Sequence, residues 1–92
     1  PEELPALEVL TAPAVSEALF RYTLPEGATG GHLYIYDILG RKVYEREVLS
    51  RRGIIRWDLV SATGIPVANG VFLAVLVTER GVSAPVRLVV QR

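Results

Sequence analysis

The stretch VFLAVLVTERG, residues 71 to 81, decides the fold, because it reads as a strand with two apolar faces. Successive side chains of a strand point to opposite sides of its sheet. The two faces are Val71, Leu73, Val75 and Val77 on one side and Phe72, Ala74, Leu76 and Thr78 on the other. A half-buried strand needs only one apolar face, so the second face requires something to cover it.

The composition predicts a single domain over residues 1–92 and excludes several classes of function. The chain has no cysteine, which excludes disulfides, thiolate metal sites and cysteine nucleophiles. Ten basic residues balance ten acidic ones, whereas affinity for a phosphate backbone comes from an excess of Lys and Arg. The longest apolar run, 71–77, is far shorter than the roughly 20 residues of a membrane-spanning helix. We therefore expect no nucleic-acid partner and no spanning segment.

Working outward from residues 71–81, the chain alternates short strand patterns with turns. The predicted strands are residues 17–24, 32–37, 41–49, 54–59, 71–78 and 86–91, with a further strand near the amino end. About seven short antiparallel strands, with turns every eight to twelve residues or so, are typical of an all-β sandwich. The expected inter-sheet core comprises Leu33, Ile35, Trp57, Phe72, Ala74 and Leu76.

Glycines and short polar side chains mark the turns between these strands. A short aspartate can accept backbone N–H bonds within its own turn, and glycine tolerates a positive φ. Asn-Gly is a favoured hairpin pair. The predicted turn-stabilising residues are Asp37, Gly40, Asp58, Gly64, Asn69 and Gly70.

The amino-terminal segment, residues 1–12, leaves two arrangements open. Prolines 1, 5 and 13 favour an extended edge strand over a helix. Leu4, Leu7 and Val9 then either belong to an ordinary first strand or pair with another subunit by strand addition. The chain begins at Pro1, which suggests a fragment or a trimmed product.

Several segments together resemble a known module. They are Phe20-Arg-Tyr-Thr-Leu-Pro25, Leu33-Tyr-Ile-Tyr-Asp-Ile-Leu-Gly-Arg41, Trp57-Asp58, Gly64-Ile-Pro-Val-Ala-Asn-Gly-Val-Phe72 and a closing Val-rich strand. Their order and spacing over about residues 9–92 resemble the immunoglobulin-like C-terminal sorting domain of proteins exported by type IX secretion. They also resemble the Ig-like domain of the flagellar hook-capping protein. The resemblance implies an immunoglobulin-like sandwich that is exported. An apolar outer face on residues 71–77 departs from the sorting-domain pattern.

Candidate catalytic and metal-binding groups are sparse. The single histidine, His32, has no serine with a nucleophile signature to activate. Asp37 and Asp58 could join Glu79 or Glu17 around calcium, but turn capping explains each aspartate alone. The arginines near Tyr44 and Trp57, namely Arg46, Arg51, Arg52 and Arg56, are offset by Glu45 and Glu47. We expect a non-catalytic protein without metal or cofactor.

The second face of residues 71–77 then indicates how the protein works. An exposed apolar stripe usually marks a contact site, so the predicted interaction surface comprises Val71, Leu73, Val75, Val77, Leu4, Leu7 and Val9. The first hypothesis is an extracellular or cell-surface module that assembles with copies of itself, as a subunit of a larger structure or filament. The alternative is a sorting or anchoring domain of a larger type IX secreted protein, whose partner is a secretion or cell-surface protein.

Overall fold

The computed structural model describes residues 4–92, which form eight strands and no helix. The strands are β1 (Ala6–Val9), β2 (Ala18–Thr23), β3 (Gly31–Asp37), β4 (Lys42–Val48), β5 (Arg52–Trp57), β6 (Gly70–Thr78), β7 (Gly81–Val82) and β8 (Val86–Val90). The all-β sandwich predicted from the sequence is confirmed, with eight strands instead of about seven. Over this part of the chain, no helix is long and apolar enough to cross a membrane.

The strands form two antiparallel sheets. The smaller sheet has the order β1-β2-β5. The larger sheet has the order β4-β3-β6, and β6 pairs along its other side with β7 and then β8. The strand with two apolar faces is therefore central in the larger sheet.

The core lies between the sheets and is built from the inward residues of both. Its largest fully buried side chains are Trp57, Phe20, Leu33, Ile35, Leu59, Leu76, Leu88 and Val90. Trp57 packs edge-on against Phe72 across the sandwich, with ring centroids 6.0 Å apart. Its indole N–H donates a 2.8 Å hydrogen bond to the carbonyl of Val60, so the buried ring leaves no polar atom unpaired.

The amino-terminal strand pairs within its own chain. β1 pairs with β2 in a register that sets Leu7 opposite Tyr22 and Val9 opposite Phe20. Leu7 and Val9 are partly buried and pack against the core. Of the segment 1–12, whose arrangement the sequence left open, residues 1–3 lie outside the described residues.

Asn69-Gly70 does not close a hairpin, contrary to the expectation from the residue pair. β5 and β6 belong to different sheets, so residues 58–69 cross from one sheet to the other. Gly70 is already the first residue of β6 and pairs with Val90. A pair that favours a hairpin turn does so only where the flanking strands are neighbours in one sheet.

Two contacts fix the register of β6. Gly31 of β3 lies against β6 so closely that a Cβ atom there would be 2.8 Å from the Val77 carbonyl oxygen. On the other side of β6, the buried Ser83 lies in the segment between β7 and β8. Its hydroxyl accepts the Leu76 N–H at 2.9 Å, and its own N–H donates to the Leu76 carbonyl. These contacts are specific to one register, so they hold Phe72, Ala74 and Leu76 inward.

Two glycine substitutions test the close approach at Gly31. Gly31→Ala places a methyl group against the backbone of Val77, so we expect it to lower the free energy of unfolding by about 1–3 kcal/mol. Gly53→Ala is the matched control. Gly53 is also in a strand, but its Cβ would meet only Tyr22 at an ordinary 3.4 Å. We expect that variant to be neutral or stabilised by up to about 1 kcal/mol. Urea unfolding measures the free energy of unfolding of both variants. Equal changes in the two variants would contradict the close packing of Gly31 against Val77.

Candidate functional site

The outer face of the larger sheet, called here the sheet face, is an apolar surface to which four strands contribute. It is formed by side chains of alternate residues, whose inward neighbours are buried in the core. Its uncharged members are His32, Tyr34 and Tyr36 from β3, Val71, Leu73, Val75 and Val77 from β6, Val82 from β7 and Val89 from β8. The strand pairings place these side chains next to one another as one continuous patch.

The β6 residues at the centre of the sheet face are only partly buried. Leu73 is 41% exposed, while Val71, Val75 and Val77 are half-buried. The neighbouring Val82 of β7 is 50% exposed. The shelter comes from neighbours in the same sheet. Tyr34 lies opposite Val75 and Tyr36 lies opposite Leu73 on the β3 side. Lateral neighbours cover the flanks of an aliphatic side chain but leave its tip accessible.

Aromatic rings extend the apolar row across β3. His32 stacks on Tyr34 with centroids 5.9 Å apart, and Tyr34 lies 6.4 Å from Tyr36. The Lys42 ammonium sits 5.2 Å above the Tyr34 ring. Tyrosines surrounded by aliphatic side chains, with charges at the rim, are typical of the buried centre of protein–protein interfaces.

Charged side chains lie along the margins of the sheet face. On the β4 margin, Lys42 and Glu45 form an ion pair at 2.7 Å, and Glu47 lies opposite His32. The Glu45 hydrogen bond raises the pKa of Lys42, and the same bond lowers the pKa of Glu45, so both stay charged. On the opposite margin Arg87 of β8 lies opposite Leu73. The charges therefore lie along the two outer sides of the sheet face, and the rows of β3 and β6 between them carry none.

The structure separates the predicted interaction residues into two groups. Val71, Leu73, Val75 and Val77 lie together on the sheet face. Leu7 and Val9 point into the sandwich from the smaller sheet, and Leu4, 61% exposed, lies beside Gly81 at one end of the molecule. Sequence patterns place Tyr34 and Tyr36 on an outer sheet surface, but they do not show that this surface adjoins the β6 residues. They also missed Val82 and Val89, because a sequence does not state which strands are neighbours.

Several groups that could support catalysis or metal binding take part in structural contacts. The hydroxyls of Ser50, Ser61 and Ser83 form hydrogen bonds with Tyr22, Thr63 and the Leu76 backbone, respectively. Over the described residues 4–92, no three His, Asp or Glu side chains cluster as metal ligands. Asp37 and Asp58 sit in separate turns, where each accepts a backbone N–H two residues ahead.

A cleft of about 780 Å³ lies at one end of the sandwich, between the β3–β4 turn and the crossing segment that leads into β6. Exposed apolar side chains form its rim: Ile38 (75%), Leu39 (72%) and Ile65 (64%). Sequence patterns did not identify this cleft, because its two loops are far apart in the chain. In the sequence, the only indication of this cleft is that large apolar residues occur in turns, where polar residues are usual.

Asp37 shapes the turn at that rim. Its carboxylate accepts the Leu39 and Arg41 N–H groups at 2.9 and 3.0 Å, and it binds the Arg41 side chain at 2.9 Å. Gly40 closes the turn with φ +80°, a conformation that favours glycine. The hydrogen bond from the Arg41 backbone is the main reason that the pKa of Asp37 is lowered, with the Arg41 side chain contributing further.

The remaining predicted turn residues lie around the crossing segment. Asp58 accepts the Val60 N–H at 3.3 Å, and Gly64 has φ +86° in the turn that follows. The Asn69 side-chain oxygen accepts the Arg92 N–H at 3.2 Å, which ties the end of β8 to the start of β6.

Comparison with known proteins gives similarity at the level of solved structures. No family model matches the chain, and no curated protein matches it. The chain is similar to part of a dimeric latent form of PorU from Porphyromonas gingivalis, with a TM-score of 0.79 and 25% identity over 98% of this chain. It is also similar in fold to part of PorZ from the same organism, with a TM-score of 0.69 and 21% identity over 95% of this chain. PorZ is described as an essential bacterial surface component of the type IX secretion system. The chain spans only 9% of that PorU chain and 12% of that PorZ chain.

The lowered pKa of Asp37 gives a test of the turn. A carboxylate whose pKa is lower in the folded state than its ordinary 3.8 stabilises the fold above that value. This contribution is lost as the pH falls through the lowered pKa. We therefore expect Asp37→Asn to be less stable than wild type near pH 7, with a gap that closes below about pH 4. Urea unfolding of both proteins at pH 7 and in steps from pH 5 to pH 2 measures this difference in the free energy of unfolding. A difference that does not change with pH would contradict a lowered pKa of Asp37 in the folded state.

Proposed function

We propose that the chain is a non-catalytic contact domain of a larger exported protein, used for sorting or anchoring in the setting of type IX secretion. The observation that carries the proposal is the similarity over nearly the whole chain to about a tenth of PorU and of PorZ, the latter a surface component of that secretion system. A segment that recurs as a small part of much longer chains is suited to serve as one module of such proteins.

The sheet face supports contact as the means of action. It combines tyrosines with aliphatic side chains, and Leu73 at its centre is 41% exposed. Its charges stay at the margins, where desolvation on binding costs least. A secretion or cell-surface protein that covers this face would gain roughly 25 cal/mol for each Å² of apolar area removed from water, before the costs of association.

The comparisons favour a domain of a larger exported protein over a filament subunit, and the resemblance to the flagellar hook-capping domain stays a prediction. Extracellular or cell-surface localisation follows from the proposal. Two observations support a non-catalytic role. The hydroxyls of Ser50, Ser61 and Ser83 take part in structural hydrogen bonds, and His32 stacks on Tyr34 as part of the sheet face.

An export assay tests this proposal. Residues 1–92 are fused to the carboxyl end of a reporter directed to the periplasm, in a bacterium that has a type IX secretion system. We expect the reporter to reach the cell surface or the medium, and we expect Leu73→Glu on the sheet face to reduce that fraction at least several-fold. Ile54→Glu is the matched control, because Ile54 is a comparably exposed aliphatic residue, at 58%, in the other sheet.

Retention of the unmodified fusion in the periplasm would contradict the proposal. Equal losses in the two variants would contradict the role of the sheet face. Thermal melts of the purified variants ensure that a loss of export is not a loss of folding.

A further inference from the structure

We propose that the open edge of β5 binds an extended acidic segment of another protein by strand addition. The edge belongs to the smaller sheet, so this is a second contact that does not depend on the function proposed for the sheet face. Two independent observations carry it: the backbone groups that the edge leaves without partners, and the sign of the charges around them.

β5 is an edge strand, because the smaller sheet has the order β1-β2-β5. Residues that face each other in an antiparallel pair alternate between those that exchange backbone hydrogen bonds and those that do not. Leu19 of β2 directs its backbone away from β5: its carbonyl accepts the Leu10 N–H at 2.8 Å, and its N–H donates to the Thr11 hydroxyl at 3.2 Å. Arg56 lies opposite Leu19, so its own N–H and carbonyl point outward from the sheet edge.

The same alternation turns the backbone groups of Ile54 and Arg52 outward, because they lie two and four residues before Arg56 in the strand. The Arg51 carbonyl has the opposite orientation and accepts the Leu24 N–H at 2.7 Å, as the alternation requires. In the part of the chain that the structure describes, the backbone groups of Arg52 and Ile54 have no hydrogen-bond partner. Two donors and two acceptors are therefore open to an incoming strand, and main-chain bonds of this kind give strand addition its affinity.

The charges around this edge are of one sign. Arg46 reaches across from β4, and its side chain donates to the Arg56 carbonyl at 3.2 Å. Arg56 forms an ion pair with Glu17 at 2.5 Å. Among the described residues, no carboxylate lies within ion-pair distance of Arg46, Arg51 or Arg52. The edge therefore carries net positive charge and complements a segment with acidic side chains.

The glutamates on either side of Arg46 in the sequence do not neutralise this edge. Glu45 and Glu47 lie opposite β3 residues of the sheet face. Arg46 lies opposite the buried Leu33 and so faces the smaller sheet. The offset between arginines and glutamates that the sequence suggested therefore does not extend to the β5 edge.

The arginines disfavour a second copy of β5 as the added strand. Two β5 edges paired about Ile54 would set Arg52 opposite Arg56, and like charges directly opposite each other destabilise a sheet. No other register helps, because residues 52–57 contain no carboxylate. The same side chains favour a strand with a carboxylate opposite Arg52 and an aliphatic side chain opposite Ile54, since directly opposite side chains share one face.

Titration with a peptide, followed by NMR of the backbone amides, tests the open edge. The probe is an end-capped peptide of sequence Thr-Glu-Thr-Val-Thr-Glu-Thr, which places both glutamates and the valine on one face of a strand. We expect the amide signals of Arg52 and Ile54 to shift, because their N–H groups gain acceptors. N-methylation of the valine removes a donor to the edge, so we expect it to weaken binding about ten-fold.

Charge reversal tests the choice of an acidic partner. We expect Arg52→Glu to weaken binding of this peptide about five-fold, and to bind the same peptide with lysines in place of its glutamates more tightly than wild type does. Arg87→Glu is the matched control. Arg87 likewise has no ion pair among the described residues, but it lies in the larger sheet. Thermal melts establish that both variants are folded.

Three results would overturn the proposal: no amide shift at Arg52 and Ile54, equal binding of the N-methylated peptide, or equal losses in the two arginine variants. Equal binding of the N-methylated peptide would mean that charge alone holds the peptide. The contact is proposed for the folded domain after export, so Ile54→Glu keeps its use as the export control. Peptide binding is measured on the purified chain, and its failure is therefore distinguishable from failure of the export assay.

Discussion

The register of β6 against β3 is the constraint on which the rest of the structure depends. β6 is apolar on both faces, so its own sequence does not decide which face is buried, and a shift by one residue would exchange the two. Contacts with the segments on either side of β6 determine which face is buried. The Val77 carbonyl oxygen lies so close to Gly31 that a Cβ atom at that position would clash with it. Ser83 forms hydrogen bonds with both the N–H and the carbonyl group of Leu76.

Burial of Phe72, Ala74 and Leu76 follows from that register, and so does the chemistry of the opposite face. Once these residues pack against Trp57 and the smaller sheet, the alternate residues must face away from the core. The β3 aromatics and the ends of β7 and β8 then assemble around Leu73 by strand pairing alone. The same register of β6 therefore determines both which residues form the core and which residues form the candidate contact face.

The parts of this fold that are encoded locally could be predicted from the sequence. β3 alternates small or aliphatic residues with aromatic ones, so its inward side was assigned to Leu33 and Ile35, and both are fully buried. The apolar run 71–77 likewise predicted a strand, and it lies within β6. The all-β class followed from strand and turn patterns that depend only on neighbours in the chain.

The parts that depend on distant pairing could not be predicted. The hairpin expected at Asn69-Gly70 failed because β5 and β6 lie in different sheets, and no local pattern states sheet membership. Leu7 and Val9 were grouped with the β6 face although their pairing with β2 turns them inward. The end cleft arises from two loops whose proximity only the folded chain creates.

Thiol accessibility along β6 measures the central claim most directly. Single cysteines are placed at each position from Val71 to Val77 in this cysteine-free chain, and their alkylation rates are compared under native conditions. The register described here predicts strict alternation, with fast labelling at positions 71, 73, 75 and 77 and at least ten-fold slower labelling at positions 72, 74 and 76. Uniform rates, or fast labelling at the even positions, would contradict it.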